Sequence, residues 1–401
     1  MADDGRARFR DVLAVRQFRF LWLAYAQSRV GDQLARVAMS VLVYDRTHSP
    51  AWTALTYAMT ILPNLAGGAL LSGFADRFDR RAVMVVADVA RAVLVALMVL
   101  PGLPIAVLVV LLCLVQLPFA PFASARNAIM PTILTGDRFM VGLAIMRTTD
   151  QLGLIGGIAV AATLVSALGT HPTLAIDAAT FAVSALLVGF GVGSHRPDHR
   201  AAQGWWRRLR AGFLLVGHDR QLRALVALAC VNGFYVIPES LAVPYAAQIH
   251  GGTAAIGWLL AGIPAGSVVG MLWLKRLRPD LRLRLMAPLA VATCAVLVPS
   301  ALAPVLWLSV LLWTASGLFA GHDMVVQGAF VQRVPDASRG QAIGLANAAM
   351  QAAQGTGIVA GGLLAQAWTP GLVVGIAGLA GVVAATGAAL AWRRAPEPVQ
   401  P

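Results

Sequence analysis

The sequence predicts an all-α integral membrane protein: twelve transmembrane helices, arranged as two six-helix pseudo-repeats, with both termini cytoplasmic. Three observations carry that prediction. Of 401 residues, 58% are apolar and 12% charged, about half the charge of an ordinary soluble domain, and mean hydropathy is +0.73. The apolar residues gather in runs long enough to cross ~30 Å of hydrocarbon at ~1.5 Å per residue. The basic residues gather in alternate connections between those runs. This composition excludes a soluble enzyme, a disordered chain and a disulfide-stapled secreted domain.

The twelve runs lie at approximately 18–44, 52–74, 82–101, 105–125, 139–168, 173–194, 222–248, 254–274, 285–303, 305–331, 340–367 and 371–392. Each must satisfy its own backbone groups inside lipid, which selects helix; the alternation of a barrel strand is absent. Five arginines precede residue 20. The apolar stretch after them is too long for a signal peptide and has no small-residue cleavage site, so a retained first helix is expected. Counting connections in turn, 26 of the 31 basic residues fall on one side and Arg46 alone on the other, with Arg29, Arg36, Arg91 and Arg147 inside spans. The positive-inside rule then places both termini in the cytoplasm.

Other features point away from competing chemistry. Thirty of the 31 basic residues are Arg, with Lys275 the exception; genomic base composition explains that ratio, and no nucleic-acid partner is expected. Cys113, Cys230 and Cys294 all lie in apolar runs without metal-ligand spacing, as small core residues do. No catalytic set, cofactor or metal site is expected.

An internal repeat supports the two halves. Gln17-Phe18-Arg19 recurs as Gln221-Leu222-Arg223, Leu62-Pro63 as Ile263-Pro264, and Gly142-Leu143-Ala144 as Gly344-Leu345-Ala346, at offsets of 204, 201 and 202. The division is therefore 1–194 for the first bundle, 195–221 for a cytoplasmic amphipathic linker, and 222–401 for the second bundle. In the linker, Trp205-Trp206-Arg207-Arg208-Leu209-Arg210 suits the inner leaflet, with indoles at headgroup level and arginines toward phosphate.

Charges inside spans are the candidate working residues, because each costs about 2.5–3.5 kcal/mol on insertion scales unless paired or hydrated. Arg29, Asp32 and Arg36 form one stripe of the first span. Asp88 and Arg91 are three residues apart, as are Arg147 and Asp150; Glu239 lies between Pro238 and Pro244, and Asp323 follows His322. Two readings stand open. Asp32–Arg29, Asp88–Arg91 and Asp150–Arg147 are neutralised pairs that hold the bundle together, or some of these groups line a hydrated pathway for protons or substrate. A buried carboxylate such as Glu239 is the best candidate to titrate, and the flanking prolines interrupt its helix.

Ser72-Gly73-Phe74-Ala75-Asp76-Arg77-Phe78-Asp79-Arg80-Arg81 closes the second run. A turn this short needs glycine for close approach and charge for the phosphate layer. The segment resembles the signature loop of the major facilitator superfamily. The wider chain is similar to its drug:proton antiporter branch, which includes macrolide and siderophore exporters. Supporting segments are Ser28-Arg29-Val30-Gly31-Asp32-Gln33, Leu42-Val43-Tyr44-Asp45, Ala125-Arg126-Asn127-Ala128 with Pro131, and Ile176-Asp177-Ala178. The chain departs from the pattern at Ser72 and Asp79, where the family has Gly. It also lacks the Arg motif of the fourth span and the Pro of the antiporter motif, which stands here as Gly153-Leu154-Ile155-Gly156-Gly157.

The resemblance implies a gating loop of Gly73, Asp76, Arg77, Arg80 and Arg81, with Arg126 as a possible partner. Asp76 is expected near the cytoplasmic start of the eleventh span, where a helix N-terminus favours an anion. The function implied is a secondary active transporter exporting small amphipathic compounds by alternating access, coupled to proton entry. Uptake, or export of siderophores or other metabolites, shares every feature. An intramembrane prenyltransferase is a remote alternative, through Asp76-Arg77-Phe78-Asp79 as an Asp-x-x-Asp site. The expected partners are a small-molecule substrate, protons and membrane lipids, for a monomer in the cell membrane.

Overall fold

Among the described residues of the computed structural model, which are 8–71, 74, 77–195, 213–302, 305–335 and 338–394, the backbone forms helices and no strand. In chain order they are α1 (Phe9–Leu13), α2 (Arg16–Thr47), α3 (Pro50–Ala58), α4 (Leu62–Leu71), α5 (Arg80–Met98), α6 (Ile105–Gln116), α7 (Phe119–Ile133), α8 (Asp137–Leu168) and α9 (Thr170–Gly191). The series continues with α10 (Arg220–Cys230), α11 (Asn232–Tyr235), α12 (Ile237–Ser240), α13 (Ala242–Gln248), α14 (Gly252–Lys275), α15 (Pro279–Ala295), α16 (Leu306–Ala320), α17 (His322–Arg333), α18 (Arg339–Ala367) and α19 (Pro370–Arg394).

Eight stretches of the described chain are long and apolar enough to cross a membrane: Ile105–Ile133, Asp137–Leu168, Thr170–Gly191, Arg220–Ser240, Gly252–Lys275, Pro279–Ala301, Leu306–Arg333 and Pro370–Arg394. The other four expected spans are helical but fall short for visible reasons. The run 18–44 lies in α2, whose apolarity Arg29, Asp32 and Arg36 dilute. The run 52–74 is split between α3 and α4, each well under the ~20 residues of a span. The run 82–101 lies in α5, which carries Arg80, Arg81, Asp88 and Arg91 in 19 residues. The run 340–367 lies in α18, where Gln341, Asn347, Gln351 and Gln354 interrupt the apolar face.

Residue contacts divide the chain into two units, 1–42 with 59–202 and 43–58 with 203–401. The sequence division assigns 43–58 to the first bundle; its packing explains why it groups with the second. A Cβ at Gly362 of α18 would collide with Ala54 of α3, and Gln366 Nε2 donates to Ser49 Oγ at 3.0 Å.

The first unit is inside-out amphipathic. In α5, Met84, Ala87, Asp88, Arg91, Val95 and Met98 are buried, while Val86, Val89, Val93 and Leu97 face outward, as acyl chains require of a lipid-exposed surface. Helical spacing puts the two charged residues on the buried stripe. There, Phe18, Leu21, Met84, Phe122 and Val188 form part of one core cluster.

The second unit contains a glycine seam. A Cβ at Gly266 would meet the Thr314 carbonyl oxygen, one at Gly270 that of Leu318, and one at Gly317 that of Ile263. Only glycine lets α14 and α16 approach this closely, and in lipid such packing substitutes for the missing hydrophobic force. Pro238 and Pro244 interrupt the expected seventh span, which runs as the short helices α10 to α13.

Candidate functional site

Each unit holds a polar cluster among its apolar helices. In the first, Tyr25, Arg29 and Asp32 lie on one stripe of α2. Arg29 Nη1 meets Asp32 Oδ2 at 3.0 Å, and its Nε lies 3.0 Å from Asp150 Oδ1 on α8. The other oxygen of Asp32 pairs with Arg91. Arg91 is 2% exposed, and its guanidinium stacks on Phe181 at 4.0 Å and near Phe119 at 5.9 Å. Tyr25 donates to Asp150, and Arg126 lies over the Tyr25 ring at 3.9 Å.

These partners correct two of the local pairings expected from spacing. Arg91 turns to Asp32 rather than Asp88, and Asp88 instead accepts from Ser184 Oγ on α9. Asp150 takes Arg29 rather than Arg147, and Arg147 is exposed. Spacing of i, i+3 places two residues on one face, but in a packed bundle the facing helix supplies the stronger geometry. The Asp32–Arg29 pair is as expected, although the second arginine beside Asp32 is Arg91 and not Arg36.

Sequence reasoning passed over Asp177 as a working residue. It is fully buried on α9, accepts from Thr180 Oγ1 at 3.3 Å, and its Oδ2 has no hydrogen-bond partner among the described residues. A Cβ at Gly31 of α2 would strike Asp177 and Thr180. Glycine at 31 is therefore what allows this carboxyl against the first helix. The available signal was Asp177 itself, an acid within an apolar run.

In the second unit, neutral donors hold the carboxylates. Asp323, at the start of α17 and 26% exposed, accepts from the Tyr235 hydroxyl and from Asn232 Nδ2, and His322 Nε2 lies 3.5 Å away. Gln354 Nε2 of α18 donates to Asn232 Oδ1 at 2.6 Å, so an amide braces an amide. Glu239, half-buried on α12, accepts from Tyr57 of α3 at 2.6 Å. The tyrosines and amides carry no sequence signal beyond being polar atoms in apolar runs.

Of the expected gating loop, Gly73 and Asp76 lie outside the described residues. Arg77 is exposed. Arg80 donates through Nη1 to the Ala128 carbonyl and through its backbone to His195, both at 3.1 Å. Arg81 opens α5 beside it. Asp79, where the family pattern has Gly, caps α5: Oδ1 accepts from Ala82 N at 3.0 Å and Oδ2 from Ser194. Partial burial pushes this carboxyl up, but the hydrogen bonds from Ser194 and the backbone outweigh it and hold it below its ordinary value. The departure thus has a structural reason, an N-cap. The linker segment Trp205–Arg210 also lies outside the described residues.

Comparison with known proteins extends this picture. The family model for the Major Facilitator Superfamily matches residues 21–309 and 240–401. The multidrug efflux pump Tap of Mycobacterium tuberculosis (strain ATCC 25618 / H37Rv) is 26% identical over 359 residues, 86% of each chain. The uncharacterized MFS-type transporter YkuC of Bacillus subtilis (strain 168) is 22% identical over 292 residues, 67% of each chain. Among solved structures, the nucleoside transporter NupG aligns with a TM-score of 0.74 at 16% identity, covering 94% of this chain and 99% of that one. A bacterial homolog of the human lysosomal transporter Spinster aligns with a TM-score of 0.67 at 15% identity, covering 96% and 99%. The structural likenesses show a common fold, and the family match overturns the prenyltransferase alternative. This chain is no enzyme: it belongs to the major facilitator superfamily of membrane transporters.

Proposed function

We propose that this transporter exports small amphipathic compounds across the cell membrane by alternating access, driven by proton entry. In this reading it is a monomer of twelve spans, with bundles 1–194 and 222–401 joined by the linker 195–221 and both termini cytoplasmic. The observation that carries the coupling is Asp323, a partly exposed carboxylate inside an apolar helix pair, held by a hydroxyl and an amide. Such donors tolerate either protonation state, so the group can load and release a proton as hydration changes. Glu239, at a helix break beneath Tyr57, is the second carrier. Arg29, Asp32, Arg36, Asp88, Arg91, Arg147 and Asp150 contribute the pathway of the first unit. Gly73, Asp76, Arg77, Arg80, Arg81 and Arg126 bias the conformational equilibrium. The relationship to Tap along 86% of both chains supports efflux of drug-like molecules.

The test is drug-dependent proton flux in everted vesicles with a panel of amphipathic drugs. Drug addition should alkalinise the acidified lumen of vesicles carrying the wild type, and Glu239→Gln and Asp323→Asn should lose uphill transport while retaining downhill exchange. Transport that survives an uncoupler would remove proton coupling. Drug accumulation in cells that falls on deletion of the protein would convert the reading to uptake.

A further inference from the structure

In the second unit, Arg220 and Arg223 in the first turn of α10 and Arg394 in the last turn of α19 line one cavity of about 340 Å³. Its remaining lining is Ala224, Ala227 and Ala391. No acid offsets these three guanidiniums among the described residues. Asp219, the neighbouring carboxylate, is committed to capping α10 through Gln221 N at 2.7 Å and Leu222 N at 3.2 Å. Arg333 is held elsewhere, by Gln221 Oε1 at 2.9 Å and over the Trp392 ring at 4.8 Å. Three like charges around one hollow repel one another, and an anion between them removes that cost.

The shape of the hollow selects the anion. Beside the three arginines its lining is alanine alone, whose short side chains leave room for an apolar group. A free phosphate would engage the arginines and leave the alanines uncovered. A phospholipid would use both, with its phosphate among the arginines and the start of an acyl chain over Ala227 and Ala391. Arg220 and Arg394 end stretches long and apolar enough to cross a membrane, and the ends of such helices meet a leaflet's phosphates. We infer that this cavity is a binding site for an anionic phospholipid of the leaflet that faces Arg220 and Arg394.

The test uses the full-length protein, reconstituted with phosphatidylcholine and phosphatidylglycerol and released for native mass spectrometry. Wild type should retain phosphatidylglycerol over phosphatidylcholine, and each of Arg220→Gln, Arg223→Gln and Arg394→Gln should weaken that retention about fivefold. Arg393→Gln, beside the cavity but outside its lining, should leave retention unchanged. The triple Arg→Lys variant, which keeps the charge, should retain the lipid and shows that loss in the triple Gln variant is electrostatic and not misfolding. Equal retention by wild type and the triple Gln variant overturns the site. Displacement of the lipid by inorganic phosphate would make it a site for soluble anions. The readout is lipid retention, so its failure would leave the transport reading untouched.

Discussion

The two polar clusters solve the same problem with different chemistry. In the first unit Asp32 is clasped by Arg29 and Arg91, and Arg29 is shared with Asp150. In the second, Asp323 is held by a tyrosine hydroxyl and an asparagine amide. Removing one member of the first network strands an opposite charge in a buried place. Neutralising Asp323 strands no opposite charge on the tyrosine or the asparagine, because both donors are uncharged and can still bond a neutral acceptor, though more weakly. The carboxylates of the two units therefore divide into those held by opposite charge and those held by neutral donors.

Asp32→Asn gives the sharpest break of that contrast. It leaves the 2%-exposed Arg91 without its carboxylate and should cost about 3–5 kcal/mol, read as a lowered midpoint in detergent thermal unfolding. Adding Arg91→Met should restore part of the loss. A fully stable single variant would show that water, not Arg91, satisfies Asp32.

Asp150→Asn should cost less, about 1–3 kcal/mol, since Arg29 keeps Asp32. An equal loss for the two variants would mean that Asp150, not Asp32, is the hub.

Asp79→Ala tests the same unit at its surface and should cost about 1 kcal/mol at neutral pH through loss of the α5 cap. Because folding lowers this carboxyl's pKa from 3.8, its contribution is full above that value and fades as pH falls through the folded one. The gap between wild type and variant in acid unfolding should close below pH 3.8. A gap independent of pH would remove the charged cap.

The smallest effect belongs to Tyr235→Phe. Losing one donor to Asp323 should cost about 0.6 kcal/mol, typical of a hydrogen bond within a membrane bundle. In the proposed coupling, the same variant should shift the pH dependence of transport. Destabilisation as large as that of Asp32→Asn would erase the distinction between the clusters.

The helical character and the charges within the helices were legible in the sequence, because charge stands out sharply against apolar runs. Which groups meet was not. Asp88 and Arg91 are three residues apart on α5, yet one turns to Ser184 and the other to Asp32. Periodicity specifies a face and is silent on the helix opposite. The neutral partners Tyr25, Tyr57, Tyr235 and Asn232 were hidden for a second reason, since their composition matches that of any aromatic or small polar residue in a core. The N-cap at Asp79 was masked by the resemblance itself, which marked it only as a missing glycine.

The glycine seam between α14 and α16 has an optical consequence. With backbone against backbone at Gly266, Gly270 and Gly317, these helices have no side-chain layer on which to slide. Trp258 and Trp307, near one end of the pair, sit with ring centroids 6.0 Å apart and tilted by 57°. Two indoles at that separation couple their transitions, giving the protein a built-in chromophore pair whose near-ultraviolet dichroism reports whether the seam is intact. Through a whole cycle of cargo loading and release that signal should stay constant, even as signals from other tryptophans change, which makes it an internal reference against which motion elsewhere can be measured.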